Sequence, residues 1–222
     1  KYTVWESSNF DPQLQDKYPD IRAYEGVSNK DKKARIHFSV SPAGIQTMVL
    51  RAANASEFIE PVEASPGEYV LFTAKNRDNA SLPLLCDTKD VALNQELKSK
   101  TAKLTANNKV FKTLRLALSC TGEYTAFYGG TVAGALAGMN ATMTRVNGVF
   151  NKDLALKLIL IANNETLIYT NPATDPYSDA LAGVKGKWNQ ELQANLTNSI
   201  GENAYDIGHL FGASGGGGDA GC

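Results

Sequence analysis

The spacing of apolar residues changes along this chain, and that change limits the folds open to it. Between residues 34 and 41, apolar and polar residues alternate, which is the period of a strand with one buried face. Between residues 131 and 150, apolar residues recur every three or four positions, which is the period of a helix. Residues 154–162 are almost continuously apolar, as in a strand buried on both faces. We therefore predict β-structure first and α/β structure second.

The first predicted unit is a β-rich domain over residues 1–95. It holds an antiparallel sheet with little helix, apart from a helical turn capped by Asp11 and begun by Pro12. Further strands are predicted at residues 45–50, 56–63 and 68–75.

A basic linker is predicted over residues 96–112. No Asp or Glu occurs from Leu97 to Gly122, where six Lys and Arg residues stand. A solvated linker explains this composition, and an exposed basic linker is also a cleavage site for trypsin-like enzymes.

The second predicted unit, residues 113–222, alternates strands and helices. The α/β pattern of this unit and the β pattern of the first make the chain α+β overall. We predict strands at 113–119, 154–162, 167–170 and 205–211, and helices at 131–150 and 188–200.

Composition disfavours several function classes. The formal net charge is −1, so no global field attracts nucleic acid or an anionic membrane. The longest apolar stretch has nine residues, against the roughly 20 that a membrane-spanning helix needs. The only histidines are His37 and His209, and neither H-E-x-x-H nor C-x-x-C occurs, so these residues form no recognisable metal site.

Two glycine-rich motifs near Ser214 are weak indications of enzymatic function. Residues 212–216 match G-x-S-x-G, but no histidine follows to act as the base of a serine hydrolase. Residues 215–220 match the dinucleotide-binding G-x-G-x-x-A, but no helix and acidic residue follow within the sequence. A flexible bend explains the consecutive glycines better.

Several sequence runs together resemble one protease family. They are LRLALSCTGEY at 114–124, GGT at 129–131, MNATMTRVN at 139–147, TDPY at 174–177 and YDIGHLF at 205–211. These runs resemble the reprolysin-like metalloproteases of Bacteroidetes type, a branch of the metzincins, over residues 113–222. The runs YPDIRAY at 18–24 and IHFSVSP at 36–42 are similar to the prodomain of that group.

The resemblance implies part of a secreted zinc metalloendopeptidase zymogen, in which zinc-activated water attacks a peptide bond. Residues 1–95 would be a prodomain lacking its N-terminal part, and residues 113–222 the upper catalytic subdomain, a mixed sheet with helices. Its zinc helix, H-E-x-x-H-x-x-G-x-x-H, is expected after Cys222, so this chain would hold no catalytic residue and be inactive without the C-terminal half. Calcium is a further ion that the resemblance allows.

The resemblance also assigns roles to particular residues. It makes residues 205–211 the antiparallel edge strand of the substrate cleft, with His209, Leu210, Phe211 and Gly212 binding a peptide by main-chain hydrogen bonds. Cys86 would be a thiolate switch on the zinc, against the alternatives of a disulfide or an inert thiol. Cys120 and Cys222 would form structural disulfides, with each other or with cysteines beyond the end.

A competing hypothesis is a non-catalytic module that captures extended peptides at an exposed edge strand. The presence of H-E-x-x-H in the same or an associated polypeptide distinguishes the enzyme from the module.

Overall fold

The structure is a computed structural model, and it describes residues 1–62, 65, 67–76 and 110–213. The strands are β1 (Tyr2–Glu6), β2 (Arg22–Ser28), β3 (Arg35–Ser41), β4 (Gly44–Leu50), β5 (Glu57–Pro61), β6 (Tyr69–Thr73), β7 (Lys112–Cys120), β8 (Leu156–Leu160) and β9 (Ile207–Phe211). The helices are α1 (Pro12–Lys17), α2 (Gly122–Phe127), α3 (Val132–Asp153), α4 (Ala180–Ala182) and α5 (Trp188–Ser199). Within the described part of the chain, no helix combines the length and apolar character that crossing a membrane requires.

The first sheet is a six-stranded antiparallel meander in the order β1-β2-β3-β4-β5-β6. Its register places Tyr24 opposite Phe38, and the two rings stack with their centroids 5.0 Å apart. Gly44 has a φ of +117° where β3 turns into β4, a conformation that an L side chain rarely adopts. The strands predicted at residues 34–41, 45–50, 56–63 and 68–75 are confirmed as β3 to β6.

The second sheet is parallel, with β7 in the centre of the order β8-β7-β9. Successive β7 residues point to opposite faces: Leu116 and Leu118 belong to the core beneath α3, whereas Ala117 belongs to the core beneath α5. The α+β class is thus confirmed. The antiparallel direction predicted for residues 205–211 is wrong, because β9 follows a helical crossover and so runs parallel to β7.

The strand predicted at residues 167–170 is also wrong. The segment is a 3₁₀ turn over Asn164–Leu167, followed by one parallel bridge between Ile168 and Cys120. The Asn164 side chain explains the turn, because its Oδ1 accepts from Leu118 N and its Nδ2 donates to Leu118 O, both at 2.9 Å. An amide side chain therefore pairs with the β7 backbone in place of a strand.

Helix α3 lies between the antiparallel and the parallel sheets. It begins where predicted, with Thr131 Oγ1 accepting from Gly134 N at 3.0 Å. Gly134 and Gly138 both pack against Tyr128 and not against a sheet. The glycine that faces a sheet is Gly148, where an added Cβ would lie 2.8 Å from Met48 Cε on β4.

The N-terminal segment contributes to the core of the α/β half. Asp11 N donates to Leu160 O, and Leu160 N donates to Asn9 O, each at 2.8 Å, so this segment extends the parallel sheet beyond β8. Phe10 and Leu14 are 3% and 0% exposed, in the same apolar cluster as Leu118. The two halves therefore share one core, while the domain boundaries at 95/96 and 112/113 stay predictions.

A buried hydrogen-bond network joins the two halves at Asn9, which is 2% exposed. Its Nδ2 donates to Asn140 Oδ1 at 2.9 Å and to Thr144 Oγ1 at 2.8 Å, both on α3. Its Oδ1 accepts from Asn147 Nδ2 at 2.9 Å. Asn147 also exchanges two 2.8 Å hydrogen bonds with the backbone of Leu158 on β8. One polar cluster thus joins the N-terminal segment, α3 and β8.

Replacing Asn9 by alanine should lower the free energy of unfolding by about 2–4 kcal/mol, because several buried partners would lose their hydrogen bonds. Urea unfolding followed by circular dichroism measures the change. The control is Asn198→Ala, at an exposed position of α5, for which we expect a change within about 0.5 kcal/mol. Equal stability of the two variants would contradict a structural role for the network.

Cutting the chain between the two halves should leave them associated, because Phe10 and Leu14 are buried in the core that the second half builds. A protease site introduced between residues 90 and 91, followed by cleavage and size-exclusion chromatography, tests this. We expect both fragments to co-elute. Leu14→Asp, which places a charge in that core, should separate or unfold them. Separate elution of the unsubstituted fragments would show that the shared core does not hold them together.

Candidate functional site

Strand β9 carries the residues predicted to bind a peptide, and a cluster of polar contacts fixes where it begins. Asp206 N donates to Arg115 O at 2.9 Å. In return, Asp206 Oδ2 accepts from Arg115 N at 2.7 Å, and its Oδ1 accepts from Arg115 Nη2 at 2.8 Å. These hydrogen bonds from Arg115 lower the pKa of the Asp206 carboxyl, so it is ionised at neutral pH. The pair sets the register of β9 on β7.

The predicted binding side chains point to two faces of the sheet. Leu210 packs into the cluster beneath α5. Phe211 packs on the opposite face, with its ring centroid 5.4 Å from that of Tyr124. His209 is exposed on the same face as Phe211, and the two rings meet edge to face. Desolvation by the surrounding protein lowers the pKa of His209, which favours the neutral imidazole. Leu210 and Phe211 therefore serve packing, and His209 presents its side chain to solvent.

One edge of β9 is bonded to β7, and no other described strand pairs with its second edge. Thr121 N donates to Phe211 O at 3.0 Å, so the Phe211 carbonyl faces β7. Backbone groups of successive residues face alternate edges of a parallel strand. The N–H and C=O groups of Leu210 are consequently directed to the open edge.

Gly212, the last predicted binding residue, lies beneath the Trp188 indole. An added Cβ at Gly212 would be 2.7 Å from Trp188 Cη2, so the position admits no side chain without movement of the ring. The ring is held because Trp188 Nε1 donates to Ser178 O at 2.8 Å. The sequence predicted only that a helix begins at Trp188. The contact with Gly212 could not be predicted from a local pattern, because 24 positions separate the two residues.

Buried polar side chains support the sheet beneath α5. Tyr177 OH donates to Ser119 Oγ at 2.6 Å and accepts from Asn195 Nδ2 at 2.9 Å. Ser119 Oγ in turn donates to Leu167 O at 2.7 Å. Burial raises the pKa of Tyr177, so the phenol stays protonated and keeps its donor. Two runs that carry the family resemblance lie here, 114–124 with Ser119 and 174–177 with Tyr177, but neither run indicated the contact between these residues.

Within the described residues Cys120 is a free thiol with 0% exposure. The disulfide expected at this residue would join it to Cys222 or to cysteines beyond the sequence, so that expectation stays a prediction. Its Sγ lies 3.3 Å from Thr125 Oγ1. Burial raises the pKa of the thiol, which disfavours the reactive thiolate. Cys86, Ser214 and Cys222 lie outside the described residues.

The described residues do not fit a zinc ion. They contain no group of three His, Cys, Asp or Glu side chains that could hold a metal. His37 lies on β3 of the antiparallel sheet and His209 on β9 of the parallel sheet, so the fold assigns the two histidines to different sheets. No chemical step through zinc is therefore derived from these residues.

Cys120 should resist alkylation in the folded protein and react only after unfolding, because it is buried and its thiolate is disfavoured. Iodoacetamide at pH 8, followed by peptide mass spectrometry with and without urea, measures this residue by residue. Cys120→Ser identifies the peptide that carries the signal. Rapid labelling of native Cys120, or its recovery in a disulfide-linked peptide, would contradict the buried free thiol.

The part of the chain that contains β7 to β9 is similar to a known protein family. The model for metallo-peptidase family M12B, reprolysin-like, matches residues 110–222, just over half of the chain. A search of curated proteins finds no significant match. The match begins two residues before β7 and takes in α2 to α5 and both crossovers of the parallel sheet. On this evidence the chain belongs to the reprolysin-like metallopeptidase family.

Proposed function

We propose that this chain is part of a secreted zinc-dependent metalloendopeptidase precursor, with residues 113–222 forming the upper part of its catalytic domain. The observation that carries the proposal is the family match over residues 110–222, which coincides with the parallel sheet and its helices. Hydrolysis in this family depends on zinc, which activates water for attack on the peptide carbonyl. The zinc ligands and the general base would come from polypeptide beyond these 222 residues.

In this proposal the antiparallel sheet and its N-terminal segment are a prodomain. The contacts of the N-terminal segment with the second half support this proposal. Phe10 is buried in the apolar core beneath α3, and Asn9 belongs to the buried polar network. An N-terminal half bound in this manner covers one side of the family domain both before and after a cut between the halves. The basic segment 96–112 is the proposed site of that cut.

The substrate would be an extended peptide that adds to the open edge of β9. Leu210 would contribute backbone hydrogen bonds, and Gly212 would continue the strand beneath the Trp188 indole. His209 is the exposed imidazole nearest to such a peptide along the strand. Selectivity at this edge would therefore rest on backbone shape and on His209.

Cys86 would keep the precursor latent by binding the catalytic zinc as a thiolate. It lies in the LPLLCD run at 82–87 of the proposed prodomain. Cys86→Ser in the complete precursor should give activity without prior cleavage, whereas unchanged latency would rule out this role.

The open edge of β9 also supports a second candidate, a non-catalytic module that binds extended peptides. This candidate needs no zinc helix. It predicts peptide affinity without hydrolysis in every form of the polypeptide.

The two candidates separate in one experiment on the natural precursor and on this chain. Zinc content is measured by atomic emission, and hydrolysis with internally quenched peptides, before and after cleavage within residues 96–112. We expect about one zinc per precursor, activity only after cleavage, and loss of activity with a chelator. The 222-residue chain should neither hold zinc nor hydrolyse peptides. A precursor that binds peptides but never holds zinc would establish the binding module instead.

A further inference from the structure

A cavity of about 480 Å³ opens between the antiparallel sheet and the C-terminal part of α3. Small-molecule sites usually measure about 300–1,000 Å³. Both structural halves contribute to its walls, which include Trp5, Glu25, Arg35, His37, Gly148 and Lys152. We propose that this cavity binds a small carboxylate that carries an aromatic group. This inference concerns a different part of the fold from β9 and does not depend on peptidase activity.

The wall of the cavity contains a buried imidazole without a hydrogen bond. His37 is 7% exposed, and its Nδ1 lies 3.9 Å from Glu25 Oε2, too long for a hydrogen bond. Gly148 packs directly on the ring, since an added Cβ there would lie 2.9 Å from His37 Cδ2. Buried polar groups normally have partners. An oxygen of a bound ligand would supply the partner that the described residues do not.

The charges around the cavity favour an anion. Arg35 and Lys152 are exposed, and neither forms an ion pair within the described part of the chain. The one acidic residue in the lining, Glu25, already accepts from Trp5 Nε1 at 2.7 Å. Lys157 adds positive charge near Glu25. Burial lowers the pKa of Lys157, and the negative charge of Glu25 opposes that lowering. Two cations against one carboxylate leave the lining positive, and the Arg35 guanidinium suits a planar carboxylate.

The aromatic part of the proposed ligand follows from Trp5. Its side chain is 45% exposed although the residue lies within β1, and its ring borders the cavity. The hydrogen bond from Nε1 to Glu25 holds the indole in one orientation. A fixed, half-exposed indole beside two cations suits a ligand with a ring at one end and a carboxylate at the other.

Binding at this position would strengthen the contact between the two halves. Trp5, Glu25, Arg35 and His37 belong to the antiparallel sheet, whereas Gly148 and Lys152 belong to α3. A ligand that contacts both binds the native state only, so it raises the melting temperature by an amount that grows with the logarithm of one plus the ratio of ligand concentration to Kd.

The test uses the 222-residue chain and N-acetylphenylalanine as the probe. N-acetylphenylalaninamide removes the charge, and N-acetylalanine removes the ring. Two-dimensional NMR of the Trp5 indole N–H, titrated with each compound, gives the Kd. We expect saturable binding of N-acetylphenylalanine with a Kd on the order of 1 mM or tighter, and at least tenfold weaker binding of the other two.

Variants locate the site. Arg35→Gln and Lys152→Gln should each weaken binding at least fivefold without changing the unliganded melting temperature, because both side chains are exposed. Lys32→Gln, an exposed lysine outside the lining, should bind as the parent does. Equal affinity for acid and amide, unchanged affinity in both cavity variants, or failure to saturate would each overturn the proposal.

Discussion

The buried amide of Asn9 is the contact on which the arrangement of the two halves depends. It joins the N-terminal segment to Asn140 and Thr144 on α3, and through Asn147 to the backbone of β8. Apolar packing around Phe10 is not directional, but hydrogen bonds are, so the polar cluster specifies the position of α3 between the sheets. The four side chains of this cluster allow few other positions of α3, because a shifted helix would bury hydrogen-bond donors and acceptors without partners.

The same arrangement gives the parallel sheet two different edges. The N-terminal segment pairs with β8 through Asn9 and Asp11, whereas no described strand covers β9. The proposed prodomain and the proposed substrate therefore meet the sheet at opposite edges. In this fold, latency would not require the N-terminal half to occupy the β9 edge.

Sequence periodicity predicted the larger elements well. The apolar positions of α3 that follow the helical period lie in or against the core beneath it, since a 3.6-residue period leaves one buried face: Val132, Leu136, Met139, Met143, Val146 and Phe150. Periodicity failed to predict the structure where a side chain, and not a strand, bonds to the backbone of β7, as Asn164 does. Asn140, Asn164 and Asn195 each stand in a glycosylation sequon, yet they are at most 9% exposed and support the backbone or buried side chains. A three-residue pattern carries no information about burial.

The sequence by itself determined the α+β class, the positions of most strands and helices, and the family, because periodicity and motif order are local properties. Only the tertiary structure decided the parallel direction of β9, the free thiol at Cys120 and the contact of Gly212 with Trp188. It also brought Trp5, His37 and Lys152 together around one cavity. Apart from the thiol, these features join residues from 24 to more than a hundred positions apart. Such contacts depend on the packing of α3 and α5 against the sheets, which no local pattern records.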